Sequence, residues 1–235
     1  MPTRRMLRIE ILIVLAVTFG TSGVRAALRL VDSLLSPQAL NEQSVTLNDA
    51  HSTLSWLDLA LQATSALTLI AWGALALYLL GQSLPRPHLG DWWHGAILAA
   101  VIGIPGLVLY IAALHFGWTK EIVVTTEAAR LPTLVLWSAA NAFAEEIVVV
   151  MWLCTRLRQL GYSPAKFIAA SAVLRGTYHL YQGVSAGFGN IVMGVVYATY
   201  FHKTGKVWPL VLGHFLIDAT AYLGYHFLDV SWLKL

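Results

Sequence analysis

Two adjacent carboxylic acids stand inside an apolar run that reads Asn141-Ala-Phe-Ala-Glu145-Glu146-Ile-Val-Val-Val150. Arg175 and His179 lie four residues apart, as do His214 and Asp218, so each pair shares one face of a helix. Charged side chains are expensive in a lipid core and turn toward a protein interior. Each of these groups needs a partner, and they are natural partners for one another. Adjacent helical residues point about 100° apart, so Glu145 and Glu146 are expected to serve separate roles rather than face one point. A carboxylate beside a neutral imidazole can bind and deprotonate a water. A second histidine with a polar neighbour can donate to a developing oxyanion. Together they suit hydrolysis of a peptide bond without a covalent intermediate. The same atoms suit zinc or a proton relay, and the H-E-x-x-H sequence of zinc proteases is absent. Spacing alone does not choose among these.

The elements that position them are read from composition. Of 235 residues, 57% are hydrophobic and 11% are charged, where a soluble domain carries about 25% charged residues. That excludes a disordered chain and argues against a soluble domain. We expect an all-α polytopic membrane protein of about seven spans, near 8–30, 56–81, 92–116, 131–155, 165–183, 187–202 and 207–228. The site then falls on the fourth, fifth and seventh. The fifth and sixth are short, which suits a tilted or partly re-entrant course. Organisation is one membrane domain: N-terminal helices and external loop to 130, core helices over 131–228, and a tail over 229–235.

With the N-terminus cytoplasmic, the inside segments hold Arg4, Arg5, Arg8, Arg86, Arg156, Arg158, Lys166, Lys203 and Lys206. The outside segments hold Arg25, Arg29, Lys120, Arg130 and Lys234, diluted by acids such as Asp32, Glu121, Glu127 and Asp229. The positive-inside rule thus predicts a cytoplasmic N-terminus and an external C-terminus, with basic residues that orient the chain rather than bind nucleic acid; the membrane we expect is the plasma membrane. The first span lacks a clean cleavage site and reads as a helix, not a removed signal. Residues 33–55 read as an external polar loop, and Pro85-Arg86-Pro87 as a cytoplasmic turn. Cys154, the sole cysteine, reads as a packing residue. Trp92, Trp93, Trp118, Trp208 and Trp232 sit near span ends, as in an aromatic belt.

The ordered set Glu145-Glu146, His179 and His214-x-x-x-Asp218 resembles the CPBP family of intramembrane glutamate proteases. These are related to the CAAX prenyl endopeptidases and to bacterial bacteriocin-processing and immunity proteins. The family motifs are E-E-x-x-x-R, F-x-x-x-H and H-x-x-x-N or H-x-x-x-D, and the resemblance covers about 131–225. It implies a metal-independent protease with no cofactor, acting on membrane-embedded or lipid-linked peptides. Glu145 would activate water shared with His179. His214 and Asp218 would stabilise the oxyanion, and Glu146 would orient the site. Asn141 is an accessory candidate one turn before Glu145.

Two positions depart from the family pattern: Val150 replaces the arginine of the first motif, and Arg175 replaces the phenylalanine of the second. We expect a relocated charge, with Arg175 supplying from the fifth span the cation that the fourth lacks. The rival readings are an inactive membrane scaffold, a proton-coupled transporter and a zinc hydrolase.

Overall fold

The computed structural model describes residues 3–47, 49–124 and 131–227, and it is helical almost throughout. Glu127, Arg130, Asp229, Trp232, Lys234 and the tail over 229–235 lie outside the described residues.

Thr3 opens α1 (Arg4–Val17), its hydroxyl accepting from the Met6 amide. The chain then bends by 49° into α2 (Phe19–Leu35). Thr18 is the joint: its φ of −121° and ψ of −125° are not helical, and its hydroxyl donates to the Val14 carbonyl. In α2 burial recurs at Phe19, Gly23, Ala26, Leu30 and Ser33, a stripe at three- and four-residue spacing. The straight first span expected from hydropathy is therefore two pieces, the second laid along one face of the bundle.

Two long apolar helices follow, α3 (Ser55–Leu80) and α4 (Leu89–His115). Next comes a continuous rod, Leu131–Gln159, composed of α5 (Leu131–Glu145), a π-helical segment (Glu146–Trp152) and α6 (Leu153–Gln159). Two-thirds (67%) of the rod's most apolar stretch is buried against 17% for α3 and α4, so the rod is the central helix. Then come α7 (Pro164–His179), a 3-10 turn at Leu180–Gln182, α8 (Val184–Thr204) and α9 (Trp208–Phe227). Pro164 sits in the first turn of α7, where its missing N–H has no helical partner to lose.

Among the described residues, four helices are long and apolar enough to cross a membrane: α3, α4, the rod and α8. The bent α1–α2 pair makes a fifth if it crosses as one. The expected count of seven is not reached on these terms. Of the remaining two, α7 has 16 residues, short of the roughly 20 a span needs. α9 has 20 residues, but His214 and Asp218 lower its hydropathy. Both helices that fall short carry polar site residues, as does the rod, which passes.

The π segment is a feature that hydropathy does not reveal. The Leu153 N–H reaches back five residues to the Val148 carbonyl. The neighbouring Val149 carbonyl accepts from the Ser171 hydroxyl of α7 at 2.7 Å. Such turns are rare and occur frequently at functional sites.

Part of the expected loop over 33–55 is also ordered. β1 (Ser44–Leu47) pairs in parallel with β2 (Glu121–Val124), Ser44 opposite Glu121. Just before β2, the Lys120 amide and the Thr119 hydroxyl both donate to the Gln182 carbonyl, at 2.9 and 3.1 Å. This strap requires Gly183, whose φ is +133° and whose absent Cβ would lie 2.7 Å from the Thr119 Cα. The strap and the sheet thus bind the connection that directly succeeds His179. Lower down, a Cβ on Gly194 would lie 2.6 Å from the Ala172 Cα, so α7 and α8 meet backbone against backbone. Beyond this pair, α7 also packs on α2, while α9 packs on α4 and α5.

One residue is not where its charge suggested. Arg156, expected at a cytoplasmic loop, is buried in the bundle. It pairs with Glu10 of α1 at 2.7 Å, donates to Gln159, and reaches the Leu79 carbonyl of α3. Trp152 also donates to Glu10, at 3.0 Å. Glu10 escaped notice because it lies in a run that reads as apolar.

Candidate active site

The cluster is assembled from three helices. Glu145 ends α5 and Glu146 opens the π segment. Arg175 lies one turn before the end of α7, and His214 lies in the second turn of α9. Arg175 is fully buried and splits its two terminal nitrogens between the acids. Nη2 donates to Glu146 Oε1 at 2.6 Å, and Nη1 donates to Glu145 Oε2 at 3.3 Å. Adjacent acids on a helix do diverge, yet one planar guanidinium spans the divergence because its donors form a fork. The expectation that the two acids do not face one point is therefore corrected in part: they diverge, yet both meet Arg175. The cation that the first motif would place at position 150 arrives from α7 instead.

The acids differ in their remaining partners. Glu146 Oε1 also accepts from His214 Nδ1 at 2.7 Å, and its side chain has no exposed surface. Glu145 Oε2 accepts from the Tyr178 hydroxyl at 2.7 Å, and 9% of the Glu145 side chain remains exposed. All these bonds to Glu145 fall on Oε2, so Oε1 is not held by them. His214 Nε2 faces Asp218 at 3.6 Å, beyond a direct hydrogen bond. Asp218 is the more open of the two, with 25% of its side chain exposed.

His179 is half-buried at the last position of α7. Its Nδ1 lies 3.0 Å from the Arg175 carbonyl. A carbonyl only accepts, so Nδ1 carries the proton and Nε2 is the free acceptor of the neutral ring. His179 does not hydrogen-bond Glu145 directly; its ring lies against Tyr178, centroids 4.7 Å apart. Asn141 is half-buried one turn before Glu145, and among the described residues no side-chain hydrogen bond joins it to the cluster.

Two tyrosines were missed by the sequence reading. Tyr178 holds Glu145, and the Arg175 guanidinium lies 5.6 Å from the Tyr197 ring centroid, within reach of a cation–π contact. Their phenol groups look like ordinary interfacial aromatics in the sequence. The available signal was position: Tyr178 adjoins His179, and a buried phenol seeks a partner. Among the described residues, the buried side-chain polar atoms without a hydrogen bond are Glu146 Oε2, Arg175 Nε and Tyr197 Oη, all within this cluster.

Glu145, Glu146 and His214 each offer a ligand atom within 4.8 Å of the others, a spacing a metal ion could use. Arg175 already sets a fixed cation between the two carboxylates, so an added divalent ion would meet like charge there. Glu146, Arg175 and His214 touch, so the three helices present these residues at one level although their distances from the helix ends differ.

The chain is a multi-pass membrane protein. No curated protein and no solved structure matches it. A family model does match, and it supports a CAAX-type intramembrane endopeptidase in general terms. That model is the Rce1-like type II CAAX prenyl endopeptidase family, and it matches residues 127–220, the stretch that holds every residue of the cluster.

Proposed function

We propose that this protein is a metal-independent intramembrane endopeptidase that uses Glu145 as the general base for a hydrolytic water. The observation that carries this reading is the asymmetry of the two acids. Glu146 is sealed and doubly held by Arg175 and His214. Glu145 is fixed by one oxygen, through Tyr178 and Arg175, and keeps its other oxygen for a proton. A carboxylate held this way is oriented without being saturated, as a base must be.

Hydrogen-bonding capacity supports the remaining roles. His179 Nε2 is the free acceptor beside Glu145 and shares the water. His214 gives its Nδ1–H to Glu146, so it stabilises the oxyanion through Nε2–H as the imidazolium, with the Glu146 and Asp218 carboxylates on either side of the ring. Glu146 and Arg175 hold His214 and Glu145 in place. Substrates are membrane-embedded or lipid-linked peptides. The protein sits in the plasma membrane with its N-terminus cytoplasmic and its C-terminus external, as the distribution of Lys and Arg suggests.

The test compares protein termini, by mass spectrometry, in membrane and secreted fractions from cells that express wild type or Glu145→Gln at matched levels. New termini that vanish in the variant are expected. Identical termini, with the wild-type phenotype retained by the Gln form, would replace this reading with a scaffold. The three clustered ligand atoms favour zinc as the second reading. Chelator-sensitive cleavage with stoichiometric zinc would establish it.

A further inference from the structure

Among the described residues, the cluster is closed at one end and open at the other. Toward the ends of the helices that carry Arg158, Lys166 and Lys203, it is covered by Val150, Ser171, Ala172, Tyr197 and Leu210, all at most 1% exposed. Toward the β1–β2 sheet, burial falls on both flanking helices. Along α7 and the 3-10 turn after it, burial falls from fully buried Arg175 to half-buried His179, Leu180 and Tyr181. On α9 it falls from buried His214 to half-buried Asp218 and Tyr222, with Thr220 and Ala221 exposed. Tyr181, Asp218 and Tyr222 are near enough to Glu145 to interact with it electrostatically. α7 and α9 each pack mainly on other helices, so side chains rather than a helix–helix seam separate them here.

We infer that substrate reaches Glu145 from the sheet end, between His179 and Tyr181 on one side and Asp218 and Tyr222 on the other. The substrate class is then a membrane peptide whose scissile bond lies in the half of the bilayer opposite the basic loops. On the charge rule that is the external half. A prenylated tail presented from the cytosol would arrive at the closed end. Two tyrosines at the opening suit a chain that passes from lipid into a polar site, because a phenol offers an apolar face and a polar tip.

This inference rests on the protease reading for what enters, but the labelling arm of its test needs no turnover. Single cysteines are placed at Tyr222 and, separately, at Ala221, in a Cys154→Ala background. Thr46→Cys on β1 and Lys203→Cys at the basic end serve as references for the two sides. A membrane-impermeant maleimide is applied to right-side-out and to inverted vesicles of the full-length protein. Tyr222→Cys and Ala221→Cys should label from the same side as Thr46→Cys, and the adduct at position 222 should abolish cleavage. Labelling only from the Lys203→Cys side, or from neither side while both references react, overturns the inference. Loss of cleavage in Glu145→Gln addresses the protease reading separately, so either can fail alone.

Discussion

The molecule buries two arginines against glutamates, and the two sites are built to different standards. At Arg156, Nε and Nη2 donate to Glu10, Nη1 donates to Gln159, and Nη2 also reaches the Leu79 carbonyl. Trp152 adds a further donor to the same carboxylate. At Arg175, Nε has no partner, nor do Glu146 Oε2 and Tyr197 Oη. Unpaired buried polar atoms cost stability, and the Arg156 site avoids that cost. A site made only to hold helices together can be saturated. A site that must admit water and a peptide has to keep bonding capacity in reserve.

Substitutions can break this contrast. The largest effect is expected from Glu145→Gln, which should lower the turnover of a purified cleavage reaction about 10²–10⁴-fold, the usual contribution of a general base. Its melting temperature in detergent should change little by comparison. Arg175→Met should damage both properties. Removing one partner of a buried ion pair destabilises by about 3–5 kcal/mol, and both acids would lose their common orienting group. Unfolding and activity measured on the same preparation would check this; a variant that folds and cleaves normally would refute the relocated cation.

Two milder changes sharpen the comparison. Glu10→Ala should destabilise by about 1.5–3 kcal/mol, the range for hydrogen bonds to charged groups, yet leave the cleavage rate of the folded fraction unchanged. Tyr178→Phe removes a single hydroxyl from Glu145 and should behave in the opposite way, lowering kcat about tenfold with KM and thermal stability nearly constant. The smallest effect should come from Ser171→Ala, which leaves the Val149 carbonyl without its side-chain donor and costs about 1 kcal/mol. Chemical denaturation in micelles would measure it.

The helices and the acid–histidine cluster were legible because polar residues in apolar runs stand out against their surroundings. Arg175 was legible for the same reason, even though it departs from the family pattern. Glu10 was as anomalous but sits near the basic start of the chain, where one acid reads as part of the interface. The bend at Thr18 is marked by Gly20, where a Cβ would lie 2.6 Å from the Leu15 carbonyl oxygen, but a glycine in an apolar helix is too common to announce a bend. The parallel β1–β2 pair joins segments more than seventy residues apart, and only the packing of the intervening helices brings them together. Hydropathy could not separate α7 and α9 from full spans, because their length and polar content are set by what they hold. The divergence of Glu145 and Glu146 was read correctly as geometry; the width of the guanidinium that bridges them was left out.

The π segment, Glu146–Trp152, joins these two sites along one rod, opening on the second acid and ending one turn before Arg156. An extra residue in a helical turn amounts to a rotation of about 100° between the stretches on its two sides. The rod therefore carries a built-in azimuthal offset. Its lower part can seat Trp152 and Arg156 against α1 while its upper part turns both acids toward α7 and α9. In a regular helix one anchor would dictate the aim of the other. Deleting a single residue, such as Val148, would restore regular winding and set anchor and acids in competition for one orientation.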